Sequence, residues 1–301
     1  MRIFLTGATG FIGSALVPEL LHAGHQVVGL TRSDAGAEAL RAAGAEVHLG
    51  DLGDGSGFDA VSRGIARADA VIHTAFNHDF ANFLANCEAD RRAIAAIGAE
   101  LAGSGRPLVV TSAIAVVKAQ PGRPAHEDDA AASASVSPRA ASEEAAAAVA
   151  ARGVPVSVVR LAQVHDRLKQ GLVSALVQLA RDTGVSAFAG SGAQRWPAVP
   201  VADVVRLYRL ALESLASGAP GAVHHAVAEE GVALCDIAAV IGRGLNVPVV
   251  SLAADQVAAH FGWLTKFAGL DMPATSARTR HTLGWSPVGP GLLSDLEQMR
   301  Y

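Results

Sequence analysis

A doubly wound α/β architecture, a mostly parallel sheet with helices on both faces and a smaller carboxy-terminal lobe, is the fold the sequence predicts. Three observations predict it. Short apolar, β-rich runs alternate with Ala-rich amphipathic stretches, the pattern of successive parallel βαβ units. A Gly-rich turn, Thr6-Gly7-Ala8-Thr9-Gly10-Phe11-Ile12-Gly13, separates the first apolar run from the first helical stretch. The 301 residues, 50% hydrophobic and 17% charged, suffice for a full α/β core with a lobe attached.

In chain order, Arg2–Leu5 is the first strand and Phe11–Ala23 the first helix, with Gly24 just past its end. Gln26–Leu30 is the second strand, and the helix Ala35–Ala43 runs to Gly44. Glu46–Leu49 and Ala70–His73 are strands, and the long Phe80–Ala102 stretch is a helix ended by Gly103. Glycine suits these ends because a left-handed residue closes the last turn. Pro107–Thr111, Val154–Arg160 and Ala222–Ala226 complete the strands, and Ala140–Ala151 is a helix on alanine propensity alone. Gln120–Ser137, with Pro121, Gly122, Pro124 and the acidic Glu127-Asp128-Asp129, is expected to be a mobile surface loop. In the carboxy-terminal region Ala233–Gly242 has helical spacing and Val247–Leu252 reads as a short strand. Val257–Gly269 carries Phe261, Trp263, Leu264 and Phe267, a stripe that packs as lobe core or walls a pocket.

Composition removes several functional classes. Lys and Arg total 24 against 28 Asp and Glu, a net charge of -4, so no basic surplus points to nucleic acid. Cys87 and Cys235 form no CxxC pair, which argues against a disulfide framework or a zinc site and suits core thiols in a reducing compartment. His224 and His225 are adjacent on a strand and point to opposite faces, so they cannot share a metal. No Gly-x-Ser-x-Gly elbow is present. Neither a signal-peptide pattern nor a membrane-length apolar run is found, and the expected location is cytoplasmic.

The Gly-rich turn carries specific chemistry because it lies between a strand and a helix. Gly7 permits the tight turn, Gly10 lets backbone approach a pyrophosphate, and Gly13 lets the helix pack closely on the strand. Thr9, Phe11 and Ile12 complete the expected contact set, with the helix amino terminus facing the phosphates. At the end of the second strand, where an NAD-binding chain usually has a carboxylate for the ribose, stand Thr31, Arg32 and Ser33. A guanidinium and hydroxyls bind a ribose 2′-phosphate that a carboxylate would repel, so NADP(H) is favoured over NAD(H). In Gly50-Asp51-Leu52, Asp51 either accepts from the adenine amino group or caps the next turn.

These residues resemble the short-chain dehydrogenase/reductase superfamily, in the extended or atypical branch that includes NAD-dependent epimerase/dehydratase-like proteins. The resemblance covers most of the chain. It rests on Thr6–Gly13, Gly50–Leu52, Val71-Ile72-His73-Thr74-Ala75, Val109-Val110-Thr111-Ser112 and Val159-Arg160-Leu161. Val199–Val204, where Asp203 would cap a late helix or tie it to the lobe, and Thr282–Pro287, a helix stop and tail, extend it. It implies a Rossmann-type sheet with the dinucleotide across its carboxyl edge, with Leu52, Thr74, Ala75, Thr111 and Leu161 as further cofactor contacts. Residues 1–165, completed by about 200–232, form the cofactor region, and residues 166–199 and 233–301 a lobe for a small-molecule substrate. Phe80–Ala102 and Ala140–Ala151 correspond to the helices that often pair protomers in this superfamily, so a homodimer is expected unless Glu88, Asp90, Arg91 and Arg92 form a solvated face.

The sequence departs from the family at the proton relay. Members generally carry a Ser or Thr and a Tyr-x-x-x-Lys, whereas this chain places Arg139 at the tyrosine and Glu143 at the lysine. Ala113, or Ser112 with a one-residue adjustment, falls at the Ser/Thr position, and Tyr208 and Tyr301 are the only tyrosines. Candidate replacements are Ser112 and Arg139, which stabilises an oxyanion or lies solvated. His78 in Asn77-His78-Asp79 is a proton donor whose basicity Asp79 would raise, or else Asp79 caps the next helix. His165 in Val164-His165-Asp166 faces the substrate or makes a structural hydrogen bond. Arg195 binds an anion and Trp196 stacks on a ring, or Trp196 anchors the lobe. The expected function is an atypical NADP(H)-dependent oxidoreductase for a small carbonyl or alcohol. A non-catalytic NADP(H)-binding redox sensor is the alternative, and an epimerase/dehydratase-like enzyme the third reading.

Overall fold

The computed structural model of the chain describes residues 1–52, 58–117 and 122–301. Its first half runs β1 (Arg2–Thr6), α1 (Phe11–His22), β2 (Gln26–Thr31), α2 (Asp34–Ala42), β3 (Glu46–Leu49), α3 (Phe58–Ala66), β4 (Ala70–His73), α4 (Phe83–Leu101), β5 (Leu108–Ala113) and α5 (Ala141–Ala150). The second half continues with β6 (Val156–Leu161), β7 (Gln163–His165), α6 (Leu172–Thr183), β8 (Ser186–Ala189), β9 (Arg195–Pro200), α7 (Val201–Ala216), β10 (Val223–Ala226) and β11 (Glu229–Ala233). It closes with α8 (Leu234–Leu245), β12 (Val249–Leu252), α9 (Ala254–Phe261), α10 (Thr265–Ala268), α11 (Ala277–Leu283) and α12 (Leu292–Glu297).

Seven parallel strands form the main sheet in the order β10-β6-β5-β4-β1-β2-β3. The order reverses between β1 and β4, which opens a crevice at their carboxyl ends. Leu16 and Leu20 of α1, Leu40 of α2 and Leu207 and Leu212 of α7 pack on one face. Ile65 of α3, Ile94 and Ile97 of α4 and Val149 of α5 pack on the other. This is the expected doubly wound fold. Near-continuous apolar strands result because both faces are covered. A three-stranded sheet, β11-β9-β7, and the pair β12-β8 build the lobe with α6, α8 and α12 around buried Trp196 and Ile237. Among the described residues no helix is long and apolar enough to cross a membrane.

Gly24 and Gly44 close their helices as expected, with φ of +80° and +86°. Gly103 does not. Ala102 leaves the helix first (φ -57°, ψ 133°) and Gly103 (φ +72°) takes the third position of a turn closed by Ser104 N donating to Leu101 O at 3.1 Å. The expected Phe80–Ala102 helix also begins with a 3₁₀ turn, Phe80–Asn82, capped by Asp79. A 3₁₀ turn, Pro138–Ala140, likewise precedes α5.

The expectation of a mobile surface loop over Gln120–Ser137 is corrected for residues 122–137; Gln120 and Pro121 lie outside the described residues. Glu127 is buried and accepts from Thr279 N and Thr279 Oγ1, both at 2.7 Å. Arg123 pairs with Asp129, Asp128 with Arg278, and Arg160 donates to Asp129 O at 2.9 Å. Proline and acidic residues predicted solvation; partners brought from α11 and β6 strap the segment down instead. Glu127→Ala should lower unfolding free energy by about 2 kcal/mol by stranding two buried donors, with Glu127→Gln recovering most of it, as read by urea denaturation.

Candidate cofactor and active site

The carboxyl end of β1 turns sharply at Gly7, whose φ is +67°. A β-carbon there would lie 2.7 Å from Ala75 N, so the turn packs against the segment after β4. Thr74 Oγ1 reinforces that contact by donating to Thr6 O at 2.8 Å. At Gly13 a β-carbon would lie 2.0 Å from Gly7 O, which shows how closely α1 approaches the turn. Gly10 is the N-cap of α1, no side chain caps the helix, and no acidic residue occupies its first turn. Open N–H groups and the positive helix end suit a pyrophosphate, so the residues present fit a dinucleotide.

At the adenosine end, Thr31 is buried and its hydroxyl accepts from Ser33 N at 3.4 Å. Ser33 caps α2 by accepting from Gly36 N at 3.1 Å. The side chain of Arg32 is 80% exposed, with a terminal nitrogen 3.8 Å from the Asp51 carboxylate. Leu52 packs beside the apolar layer under α3 and α4. If Arg32 binds a 2′-phosphate, Arg32→Ala should raise the Kd for NADPH about 10- to 30-fold and leave that for NADH within about twofold. Equal effects on both cofactors, measured by fluorescence titration, would remove the basis for NADP(H) preference.

At the other end, the relay positions hold two ion pairs. Arg139 donates to Asp90 Oδ2 at 2.9 Å, to Thr111 O at 3.0 Å and to Ser142, and its guanidinium covers the Phe76 ring at 4.2 Å. It is therefore not the solvated helix residue of the alternative reading; 13% of its side chain is exposed. Glu143 takes a two-pronged contact from Arg160, Nε and Nη2 each at 2.8 Å, and accepts from Ser112 Oγ at 2.7 Å. Ser112 is buried in that contact, which corrects its expected exposure to substrate.

Beneath Arg139 runs a buried polar chain. Asp90 accepts from His73 Nε2 at 2.9 Å and from Ser142 Oγ at 2.5 Å, and His73 Nδ1 meets Thr6 Oγ1 at 2.7 Å. Burial alone would raise the Asp90 pKa, but the His73 hydrogen bond and charge, then Arg139 and Ser142, hold it below the usual carboxylate value. Thr111 Oγ1 donates to His73 O at 2.7 Å and lies 2.6 Å from Tyr208 OH, so its side chain is committed to the sheet and α7 rather than open to a cofactor. Burial raises the Tyr208 pKa further from neutrality. That tyrosine does not replace the missing one. Leu161 ends β6 half-buried against the α7 side of the core.

His78 stands edge-on to Phe76 at 5.1 Å, and Asp79 does not support its basicity: the Asp79 carboxylate is spent on Ala81 N and Asn82 Nδ2. Partial burial, then the charges of Arg139 and Lys169, hold the His78 pKa below its ordinary value. Lys169 lies over the Phe11 ring at 5.5 Å, at the start of α1. His165 is corrected as a cleft donor: it is fully buried, with Nδ1 2.7 Å from Asp295 of α12. Arg195 is paired with Asp271 at 2.9 Å, and Trp196 is a buried lobe anchor rather than a stacking platform. Asp203 is not a cap, since Pro200 holds that position; its carboxylate accepts from Val288 N and Gly289 N and ties the tail to α7.

Lys169, His73 and Asp90 escaped sequence reasoning. Asp90 had a signal. It falls on the apolar face of α4 with Cys87, Ile94, Ile97 and Leu101, all buried, rather than on the solvated face expected for it, and a carboxylate there requires a buried partner. Lys169 had none, because an Asp166 turn accepting from Leu168 N at 2.7 Å and Lys169 N at 2.8 Å brings it across the cleft.

A model of the NAD dependent epimerase/dehydratase family matches residues 3–226. An uncharacterized protein of Schizosaccharomyces pombe is 42% identical over 302 residues, covering 100% of both chains. Another from Saccharomyces cerevisiae is 40% identical over 299 residues, covering 98% of each. The NAD complex of Thermus thermophilus UDP-glucose 4-epimerase superposes with a TM-score of 0.75 at 19% identity, covering 100% of this chain and 98% of that one. That similarity is one of fold.

Proposed function

Because the chain belongs to the NAD-dependent epimerase/dehydratase family, we propose that it is an atypical NADP(H)-dependent oxidoreductase acting on a small carbonyl or alcohol without the family's tyrosine–lysine relay. The observation that carries this reading is Arg139, held at the carboxyl end of β5 by Asp90 and Thr111 O. Its Nε hydrogen and one Nη2 hydrogen have no partner among the described residues.

In this reading residues 1–165, completed by about 200–232, carry the cofactor, and residues 166–199 and 233–301 the substrate lobe. The bound nicotinamide supplies or accepts the hydride. Thr9, Gly10, Phe11 and Ile12 hold the pyrophosphate at the start of α1, with Gly7, Gly13, Thr74 and Ala75 fixing the turn. Arg139 donates its remaining N–H groups to the substrate oxygen as negative charge develops there, and Asp90 and Phe76 keep it oriented. His78, neutral near pH 7 with its lowered pKa, relays a solvent proton to the resulting alkoxide.

The test is incubation of stereospecifically deuterated NADPH with a carbonyl panel and mass spectrometry of the products. Deuterium in a product is expected, and Arg139→Met should lower kcat about 100-fold with NADPH affinity retained. The sensor reading has one observation in its favour: both relay positions are locked in ion pairs, Arg139 with Asp90 and Glu143 with Arg160. Tight NADPH binding with no transfer across the panel supports that reading, and no binding of NADPH or NADH overturns both. The outer faces of α4 and α5 would pair two protomers, and a monomeric mass by light scattering rejects that assembly.

A further inference from the structure

Three segments far apart in sequence bring cationic or proton-donating groups to one end of the cleft: Arg139 before α5, His78 after β4 and Lys169 after β7. Arg139 lies over Phe76, Phe76 touches His78, and the electrostatic influence of both Arg139 and Lys169 reaches the His78 ring. Lys169 makes no ion pair among the described residues, and Asp166, the nearby carboxylate, is used to shape its turn. Arg139 already has Asp90 as its counter-charge, so Lys169 is the cation that an incoming anion would pair with.

Beside this polar end lies a run of aromatic rings. The Phe80 ring lies nearly parallel to Phe83 at 5.6 Å and to Trp263 at 4.4 Å, and is tilted against His78 at 6.4 Å. Trp263 comes from the lobe, between α9 and α10, so the run bridges the cofactor region and the lobe. It is 50% exposed, whereas Trp196 and Trp285 are buried. Leu84 next to Phe83 and Leu168 next to Lys169 are exposed as well. Large apolar side chains left open around a polar cluster mark a recognition surface, and a flat ring is the shape that stacks on Trp263.

Resting on the oxidoreductase reading above, we infer that the substrate is an aromatic acid that also carries the reacting carbonyl or alcohol: Lys169 takes its carboxylate, Arg139 and His78 meet its reacting oxygen, and the open side of the Trp263 ring takes its planar body. The same anionic chemistry could come from the cofactor's pyrophosphate, since Lys169 lies over Phe11. The experiment separates the two sources.

The probes are 3-phenylpropanoate, its amide 3-phenylpropanamide and hexanoate, none of which is a carbonyl substrate, titrated into the full-length protein with and without NADPH. Tryptophan emission reports stacking, because only Trp263 is accessible among the tryptophans, and calorimetry gives Kd independently of it. The acid should bind at least 10-fold more tightly than either the amide or hexanoate and should shift the emission. Lys169→Met should weaken the acid about 10-fold and leave the amide unchanged, while Trp263→Leu should bring the acid to the affinity of hexanoate by calorimetry. Equal affinity for acid and amide, no binding of the acid, or a Lys169→Met effect confined to NADPH overturns the inference. NADPH affinity on the same samples keeps the readings apart: intact NADPH binding without acid binding sinks only the substrate class, and loss of NADPH binding in the unaltered protein sinks the oxidoreductase reading.

Discussion

Asp90→Ala is expected to lower the unfolding free energy by about 3–5 kcal/mol, the range for removing one partner of a buried, hydrogen-bonded charge pair. The carboxylate accepts from His73 Nε2 and Arg139, both at 2.9 Å, and from Ser142, and 4% of its side chain is exposed. Its loss strands the Arg139 charge where little water reaches it and leaves two further donors without their acceptor. Asp90→Ala with Arg139→Met should recover much of the deficit, since the double variant buries no unpaired charge. Urea denaturation of the two single variants and the double variant measures this. A single-variant deficit below about 1 kcal/mol would mean that water or a shifted partner replaces the carboxylate.

The pH dependence has a definite sign. Because the folded pKa of Asp90 lies below its reference of 3.8, its contribution is fully present above that reference and is lost as pH falls through the lower folded value. The share of the gap between native protein and Asp90→Ala that comes from this ionisation should therefore be retained down to about pH 4 and be lost only in stronger acid.

The second large effect is expected at Gly13. A β-carbon there would lie 2.0 Å from Gly7 O and 2.7 Å from Gly7 C, so the clash is with backbone and no side chain can rotate away. Gly13→Ala must push α1 off β1, widening the turn that presents the helix N-terminus. NADPH affinity should fall by roughly 100-fold, about 2.7 kcal/mol, and Tm should fall with it. Gly24→Ala supplies the contrast. Its φ is +80°, yet nothing lies within 4 Å of the added carbon, so it should cost only about 1–2 kcal/mol of stability and leave cofactor affinity unchanged. Similar losses of affinity in both variants would show that general destabilisation, not the geometry of the turn, governs binding.

Much of the fold was legible because its signals are local. The inner strands Arg2–Thr6, Ala70–His73 and Leu108–Ala113 each carry an apolar run buried on both faces, which leaves an unbroken hydrophobic pattern. The Gly7, Gly10 and Gly13 spacing announces its turn because each glycine answers a steric demand of the adjoining backbone. The replacement of the relay tyrosine and lysine by Arg139 and Glu143 was also visible, since a missing residue type needs no geometry to be noticed.

What occupies that gap was decided by packing of distant segments. Arg139 could be read equally as solvated or functional until α4 supplied Asp90, 49 residues earlier, to hold it. His165 sat in a segment expected to face substrate, but Asp295, 130 residues later, draws it into the lobe. Lys169 reached the cleft, and the acidic strap lost its freedom, through contacts that no periodicity encodes. Burial patterns and backbone sterics are written into neighbouring residues, so the sequence alone determined the doubly wound sheet and its glycine turn. Charge pairing depends on which side chains meet across the fold and how much water remains between them, so only the tertiary structure decided the arrangement around Arg139.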